Sequence, residues 1–132
     1  MKNELSVITK AKDLGNYIFV ITDKSPKKFR FTLVSRMQNL ALDVIENLYQ
    51  ANAVFVRNTN DMNRIERRKF FQKEAYVKLK LLGYIALMAR EQQCILPKQF
   101  NQIGLMTTET NSLLIAWINS DRKRYGRYQQ TK

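Results

Sequence analysis

The chain has 132 residues, in which 23 Lys and Arg outnumber 11 Asp and Glu, for a formal net charge of +12. This length suits one domain with its own core, and this charge favours polyanionic partners. Nucleic acid is the first candidate, an anionic membrane surface the second and an acidic protein the third. With a single cysteine, Cys94, and no histidine, one chain cannot build a zinc site, a disulfide or a Cys–His nucleophile.

The hydropathy of the chain argues against membrane insertion. No apolar run is long enough to cross a bilayer, and the N-terminal stretch lacks the continuous apolar segment of a signal peptide. We therefore expect a cytoplasmic protein with no membrane-spanning segment and, in the preferred hypothesis, no membrane among its partners.

Helical spacing defines the first two predicted elements. Apolar residues recur at steps of three and four from Leu5 to Ile21, and again from Leu33 to Phe55. Between these segments Pro26 disfavours a helical conformation at the residue before it, so the sequence TDKSPKK is a predicted turn. The first helix is expected to end near Asp23.

Two further helices follow a polar stretch. Asn60 or Asp61 can cap the third helix, which is predicted to extend to about Gln93, and Pro97 suits the first turn of the fourth. One face of the fourth helix is predicted to carry Leu96, Phe100, Ile103, Thr107, Thr110, Leu114 and Trp117. We assign residues 2–124 to a helical domain and residues 125–132 to a basic tail, whose composition is compatible with disorder.

Four amphipathic helices joined by short turns predict an all-α, up-down-up-down four-helix bundle. The third helix differs from the others because it has two apolar stripes. One contains Phe71, Ala75, Leu79, Leu82, Ala86 and Ala89, and the other, on the opposite side, contains Phe70, Val77, Leu81, Tyr84 and Met88. We predict that the second stripe binds another copy of the chain. The alternative is that the third helix is central and covered on all sides by its own chain.

Basic residues cluster at two places that an antiparallel bundle puts at opposite ends. One cluster contains Lys24, Lys27, Lys28 and Arg30, and the other contains Arg64, Arg67, Arg68, Lys69 and Lys73. Cations are unfavourable at the start of a helix, where the macrodipole is positive. Asp43 and Glu46 on the second helix are therefore expected to pair with Arg67, Arg68 or Lys73.

The same two carboxylates could in principle form a catalytic pair or hold a metal. No nucleophile, further acid cluster or phosphate-binding loop accompanies them. We interpret Arg36, Asp43 and Glu46 as residues of structural ion pairs, and we expect no enzyme activity, catalytic residue, metal or cofactor.

A sequence motif supports a more specific hypothesis. Phe29-Arg30-Phe31-Thr32-Leu33, followed by Arg36, Asp43 and Glu46, resembles the accessory variability determinant proteins of diversity-generating retroelements. These belong to a wider group of four-helix bundles that includes proteins encoded in intervening sequences of large ribosomal RNA. The resemblance extends from about Ile8 to Ser120. It departs from the family pattern at Val34 and Ser35, where many members have a glycine and an acid, and in the basic tail.

The resemblance implies a homopentamer that binds the reverse transcriptase of its element, template RNA and cDNA, and that supports error-prone cDNA synthesis. The cations would contact phosphates without reading bases. The candidate contacts with nucleic acid or polymerase are Lys27, Lys28, Arg30, Arg64, Arg67, Arg68, Lys73 and Lys78. Two other functions stay open from the sequence: a general RNA-binding bundle of the intervening-sequence kind, and a structural or membrane-surface interaction bundle.

Overall fold

The computed structural model describes residues 4–125, which form four α-helices and no strand. The helices are α1 (Ser6–Thr22), α2 (Ser35–Ala53), α3 (Met62–Glu91) and α4 (Pro97–Tyr125). A 3₁₀ turn at Lys27–Phe29 and a π-helical turn at Arg30–Val34 lead into α2. The all-α prediction with four helices is confirmed. In the described part of the chain, no helix has the combination of length and apolar character needed to cross a membrane.

Consecutive helices pack against one another, and α4 also packs against α1, which closes the bundle. Contacts at the two ends of the α3–α4 pair define its direction. Near the turn that joins these helices, the guanidinium of Arg90 lies 5.7 Å from the centre of the Phe100 ring. At the far end, Arg68 Nε lies 2.6 Å from Asp121 Oδ2, so the two helices are antiparallel. The short connections after α1 and α2 likewise reverse the chain, giving an up-down-up-down bundle.

The core lies along the bundle axis and receives one apolar stripe from each helix. Its largest fully buried apolar side chains are Ile8, Leu14, Ile18, Met37, Val44, Leu48, Leu79, Leu82, Ile103 and Leu114. Burial of each such side chain contributes about 1.5–3 kcal/mol from apolar surface removed from water. These residues are the ones that the three- and four-residue spacing predicts, because that spacing puts them on one side of each helix.

The predicted end of α2 and one member of the predicted α4 stripe are wrong, and α3 ends two residues before the position predicted near Gln93, whereas α4 starts at Pro97 as predicted. Helix α2 ends at Ala53, where Val54 turns to an extended conformation, so Phe55 lies outside the helix and is 67% exposed. Helix α3 ends at Glu91, since Gln93 adopts a left-handed φ of 63° and stops it. Leu96 precedes α4 and is 53% exposed, so it does not join the α4 stripe.

The cap of α3 and the tail also differ in part from expectation. Asp61 occupies the N-cap position of α3, yet within residues 4–125 its side chain makes no capping hydrogen bond. Its carboxylate instead lies near Arg57 and Arg64. Of the predicted tail, Tyr125 is the last residue of α4, and the remainder lies outside the described residues.

Two helical glycines leave room for a larger side chain. A Cβ added at Gly83 on α3 or at Gly104 on α4 would meet no atom within 4 Å. Glycine inside a helix costs roughly 0.5–1 kcal/mol relative to alanine. We therefore expect Gly83→Ala and Gly104→Ala each to raise the free energy of unfolding by about that amount in urea titrations followed by circular dichroism. Ala116→Gly, at an exposed position of α4, is the reverse control and should lower it.

Candidate nucleic-acid and partner-binding surfaces

The two basic clusters lie at opposite ends of the bundle. We call one the lysine end, which is the α1–α2 connection and the first turn of α2 and contains Lys24, Lys27, Lys28, Arg30 and Arg36. We call the other the arginine end, where the α2–α3 loop, the start of α3 and the end of α4 bring together Arg57, Arg64, Arg67, Arg68, Arg122 and Arg124. The two ends differ in how far carboxylates offset their charge.

At the arginine end, carboxylates lie close to several cations. Asp61 Oδ2 is 3.6 Å from Arg57 Nε and 3.7 Å from Arg64 Nε. Glu66 pairs with Lys69 at 3.6 Å on the exposed surface of α3. These carboxylates offset the unfavourable interaction between the cations and the positive end of the helix dipole at the start of α3. They also offset part of the positive charge that would otherwise be free to bind a ligand.

The most buried ion pair of the arginine end joins α3 to α4. Arg68 binds Asp121 through two hydrogen bonds, from Nε to Oδ2 at 2.6 Å and from NH2 to Oδ1 at 3.2 Å. Gln72 Nε2 donates to the same carboxylate at 2.9 Å, and Arg68 NH1 donates to the Val54 carbonyl at 3.2 Å. The Arg68 and Asp121 side chains are only 12% and 8% exposed. The guanidinium also stacks 5.0 Å from the Trp117 ring centre, so Arg68 ties together α3, α4 and the end of α2.

This arrangement corrects the predicted pairing of Arg68. In residues 4–125, Arg36, Asp43 and Glu46 form no ion pair, and Arg68 uses Asp121 instead. Because Arg68 is mostly buried and paired with Asp121, its guanidinium is not free to contact nucleic acid or polymerase. The sequence does carry a signal for Asp121, because an acid stands in the apolar stripe of α4 at a helical step from Leu114.

The other predicted contacts of α3 differ in how accessible they are. Lys78 Nζ donates to Asn47 Oδ1 at 2.9 Å and lies 3.9 Å from Glu74, so it links α3 to α2. Arg64, Arg67 and Lys73 are exposed. Arg64 donates to the Phe55 carbonyl, whereas Arg67 lies over the Phe71 ring. Of the predicted cations on α3, Arg67 and Lys73 are the ones without a carboxylate partner in the described chain.

At the lysine end none of the five cations has an acidic partner, whereas at the arginine end Arg57, Arg64 and Arg68 have one and Arg67, Arg122 and Arg124 have none within residues 4–125. Lys24, Lys27, Lys28, Arg30 and Arg36 are all exposed, and none forms an ion pair with any residue in the range 4–125. Lys28 Nζ lies 5.1 Å from the ring centre of Phe29, which holds that ammonium group beside an aromatic face. Ser25 Oγ donates to the Cys94 carbonyl at 2.8 Å and anchors the connection to the α3–α4 turn. Positive charge at this end is therefore presented to solvent.

The second apolar stripe of α3 lies on the surface. Phe70 is 57% exposed, Val77 49%, Tyr84 58% and Met88 37%, while Leu81 is half-buried. The alternative that α3 is covered on all sides by its own chain is therefore wrong. From Val77 to Met88 the apolar residues step by four, three and four, the spacing of a helix that packs against another helix. We call these five residues the α3 outer stripe.

An open groove between α3 and α4 lies beside the start of the α3 outer stripe. Phe70, Tyr76, Ile115 and Ile118 form much of its apolar lining, and Lys69, Lys73 and Arg122 are among its cations. This apolar surface with a basic margin extends the area over which another chain could contact α3.

No group of three or more Cys, Asp or Glu side chains is placed to hold a metal ion within residues 4–125. Cys94 is 3% exposed, and burial raises the pKa of its thiol despite an opposing hydrogen bond with Ser25. A raised thiol pKa leaves less of the nucleophilic thiolate at neutral pH.

Comparison with known proteins gives no match, either to a protein-family model or to a curated protein sequence. The resemblance to accessory variability determinant proteins therefore rests on the sequence pattern from about Ile8 to Ser120, of which the motif from Phe29 to Leu33 and the polar residues that follow it are the most specific part.

Proposed function

We propose that the protein is a non-catalytic accessory factor of a diversity-generating retroelement. It binds the element's reverse transcriptase and template RNA through its basic surface and supports mutagenic cDNA synthesis. The observation that carries this proposal is the lysine end, where five exposed cations have no carboxylate partner within residues 4–125. Unpaired surface cations at this density attract phosphate backbones. The motif that suggests the retroelement lies in the same segment of the chain.

Self-association increases the affinity of this surface for nucleic acid, because it brings several lysine ends together. The α3 outer stripe provides the apolar contact between copies, and the resemblance suggests five copies in a ring. Each copy adds one lysine end, so a long nucleic acid engages several of them at once, and linked sites bind more tightly than isolated ones. The polymerase supplies the chemistry of synthesis, while the bundle holds template and enzyme together.

The phosphate-binding role predicts a steep dependence of affinity on salt. Counterion release lowers log K by roughly 0.7 per log unit of salt for each phosphate neutralised on a single strand. Replacing Lys27, Lys28 and Arg30 together by alanine should therefore reduce the slope by about 2 for three lost contacts. Fluorescence anisotropy with a labelled RNA strand at several salt concentrations measures this slope.

The matched control is the triple alanine variant of Arg64, Arg67 and Lys73, which removes the same formal charge from α3. We expect it to change the slope less, because Arg64 already contacts Asp61 and the Phe55 carbonyl. Affinity of the wild-type protein that does not change between low and physiological salt would contradict phosphate binding.

The polymerase partner is tested by co-purification with a reverse transcriptase encoded beside this gene and with its template RNA. Retention of both supports the retroelement function. If the wild-type protein binds RNA in a salt-dependent way but does not retain the polymerase, a general RNA-binding function takes its place.

A further inference from the structure

Phe31 is an unusual residue of the lysine end because most of its surface is exposed to solvent. Its side chain is 85% exposed, the highest value among the large apolar side chains of the described chain. It follows Phe29, which is half-buried at the end of the 3₁₀ turn, and it lies in the π-helical turn, in which Val34 is buried. Such turns often occur at functional sites. The core therefore does not need the Phe31 ring, and leaving it in water forgoes the stabilisation that its burial would give.

Cations flank this ring on both sides in sequence. Lys27, Lys28 and Arg30 precede it, Arg36 follows one turn later, and all four are exposed. Within residues 4–125 none of them has a carboxylate partner, whereas Arg57, Arg64, Arg68 and Lys69 at the other end do. An exposed aromatic ring among unpaired cations is complementary to a strand that presents bases and phosphates together.

We infer that the lysine end is a single-stranded nucleic-acid site, in which the Phe31 ring stacks on one unpaired base while Lys27, Lys28 and Arg30 bind the neighbouring phosphates. This inference rests on the proposed function and specifies the form of its ligand. Duplex bases are already stacked on one another, so a duplex gains the phosphate contacts alone. Every base has an aromatic face, so RNA and DNA strands both fit this chemistry.

The charge of the site favours a nucleic acid over a second copy of this chain. Two lysine ends brought together would repel each other, because five cations on each side would face five on the other. The acid nearest to them in sequence is Asp23, which cannot balance that charge alone. The α3 outer stripe, by contrast, combines four exposed apolar residues with Glu66 and Glu74 close by on the same helix, and suits contact between subunits.

The test compares Phe31→Leu and Phe31→Trp with the wild-type protein. Binding is measured by fluorescence anisotropy with strands of about 12 nucleotides, as single-stranded RNA, single-stranded DNA of the same sequence, and duplex. Leucine keeps an apolar side chain but removes the aromatic face, so affinity for both single strands should fall roughly five- to hundredfold while duplex affinity stays unchanged. The Phe31→Trp variant should retain single-strand binding, and its tryptophan fluorescence should be quenched by single strands beyond any change from Trp117 alone.

Phe55→Leu is the matched control, because Phe55 is 67% exposed beside arginines at the opposite end and should bind like wild type. The inference is overturned if Phe31→Leu binds single strands normally, weakens duplex binding equally, or reduces the size of the assembly on a sizing column. The first of these results, with salt-dependent binding intact, leaves the proposed function standing. Wild-type protein that binds neither strand nor duplex overturns both.

Discussion

Arg68→Ala is expected to lower the free energy of unfolding by roughly 3–5 kcal/mol, the usual cost of removing one partner from a buried ion pair. The loss leaves Asp121 buried with Gln72 as its remaining donor, and it also takes a donor from the Val54 carbonyl. This is a large part of the roughly 5–15 kcal/mol that stabilises a typical domain. Urea unfolding followed by circular dichroism, at one fixed protein concentration, measures the change.

Arg57→Ala provides the control for this prediction. Arg57 also pairs with an aspartate, Asp61, but its side chain is 67% exposed, and such pairs contribute about 0–1 kcal/mol. Replacing both members of the buried pair, as Arg68→Met with Asp121→Leu, should recover much of the stability because no charge is left unpaired. If Arg68→Ala lowers the free energy of unfolding by no more than Arg57→Ala does, the buried pair does not stabilise the packing of α3 against α4.

Tyr84→Glu with Met88→Glu is expected to dissociate the proposed assembly into smaller species. Both side chains lie on the α3 outer stripe, 58% and 37% exposed, so contact with another copy would force two carboxylates into an apolar interface. We expect association to weaken by at least about a hundredfold, which corresponds to roughly 3 kcal/mol. Light scattering on a sizing column should give a mass near five subunits for the wild type and a lower mass for the variant.

Val20→Glu with Leu105→Glu is the matched control, because it adds the same two charges at exposed apolar positions on α1 and α4 rather than on α3. That variant should keep the wild-type mass, and circular dichroism should show both variants folded. A wild-type protein that is monomeric at micromolar concentration would rule out self-association. Unfolding of Tyr84→Glu with Met88→Glu in an otherwise monomeric protein would instead give these residues a role in the fold of one chain.

The positions of the carboxylates suggest different roles for the lysine end, the arginine end and the α3 outer stripe. Asp61, Glu66 and Asp121 occupy cations of the arginine end, and one of those pairs is buried. The lysine end has no such partners within residues 4–125, so its charge is available to a ligand. We therefore propose that the lysine end contacts nucleic acid and the α3 outer stripe contacts other copies. Arg67 and Lys73 are the candidate contacts with the polymerase that remain on α3.

The features that depend on spacing along the chain could be predicted from the amino-acid sequence. Apolar residues at steps of three and four predicted four helices and most of the core, because side chains at that spacing share one helix face. Pro26 marked the turn after α1 and Pro97 the start of α4, because proline fixes its own φ and restricts the residue before it. The sequence also predicted a second stripe on α3, and short connections alone placed the two basic clusters at opposite ends.

Which side chains meet across the bundle could not be predicted from spacing and depends on how the helices pack. Arg68 donates to the Val54 carbonyl and is therefore level with the end of α2. Asp43 stands 11 residues before Val54, about 16 Å along the helix axis at 1.5 Å per residue, which is beyond the reach of the arginine. The last turns of α4 bring Asp121 to that level, 53 residues away in sequence. Helical spacing fixes the face on which a side chain lies, but the axial offset between packed helices depends on how their connections and cores fit together.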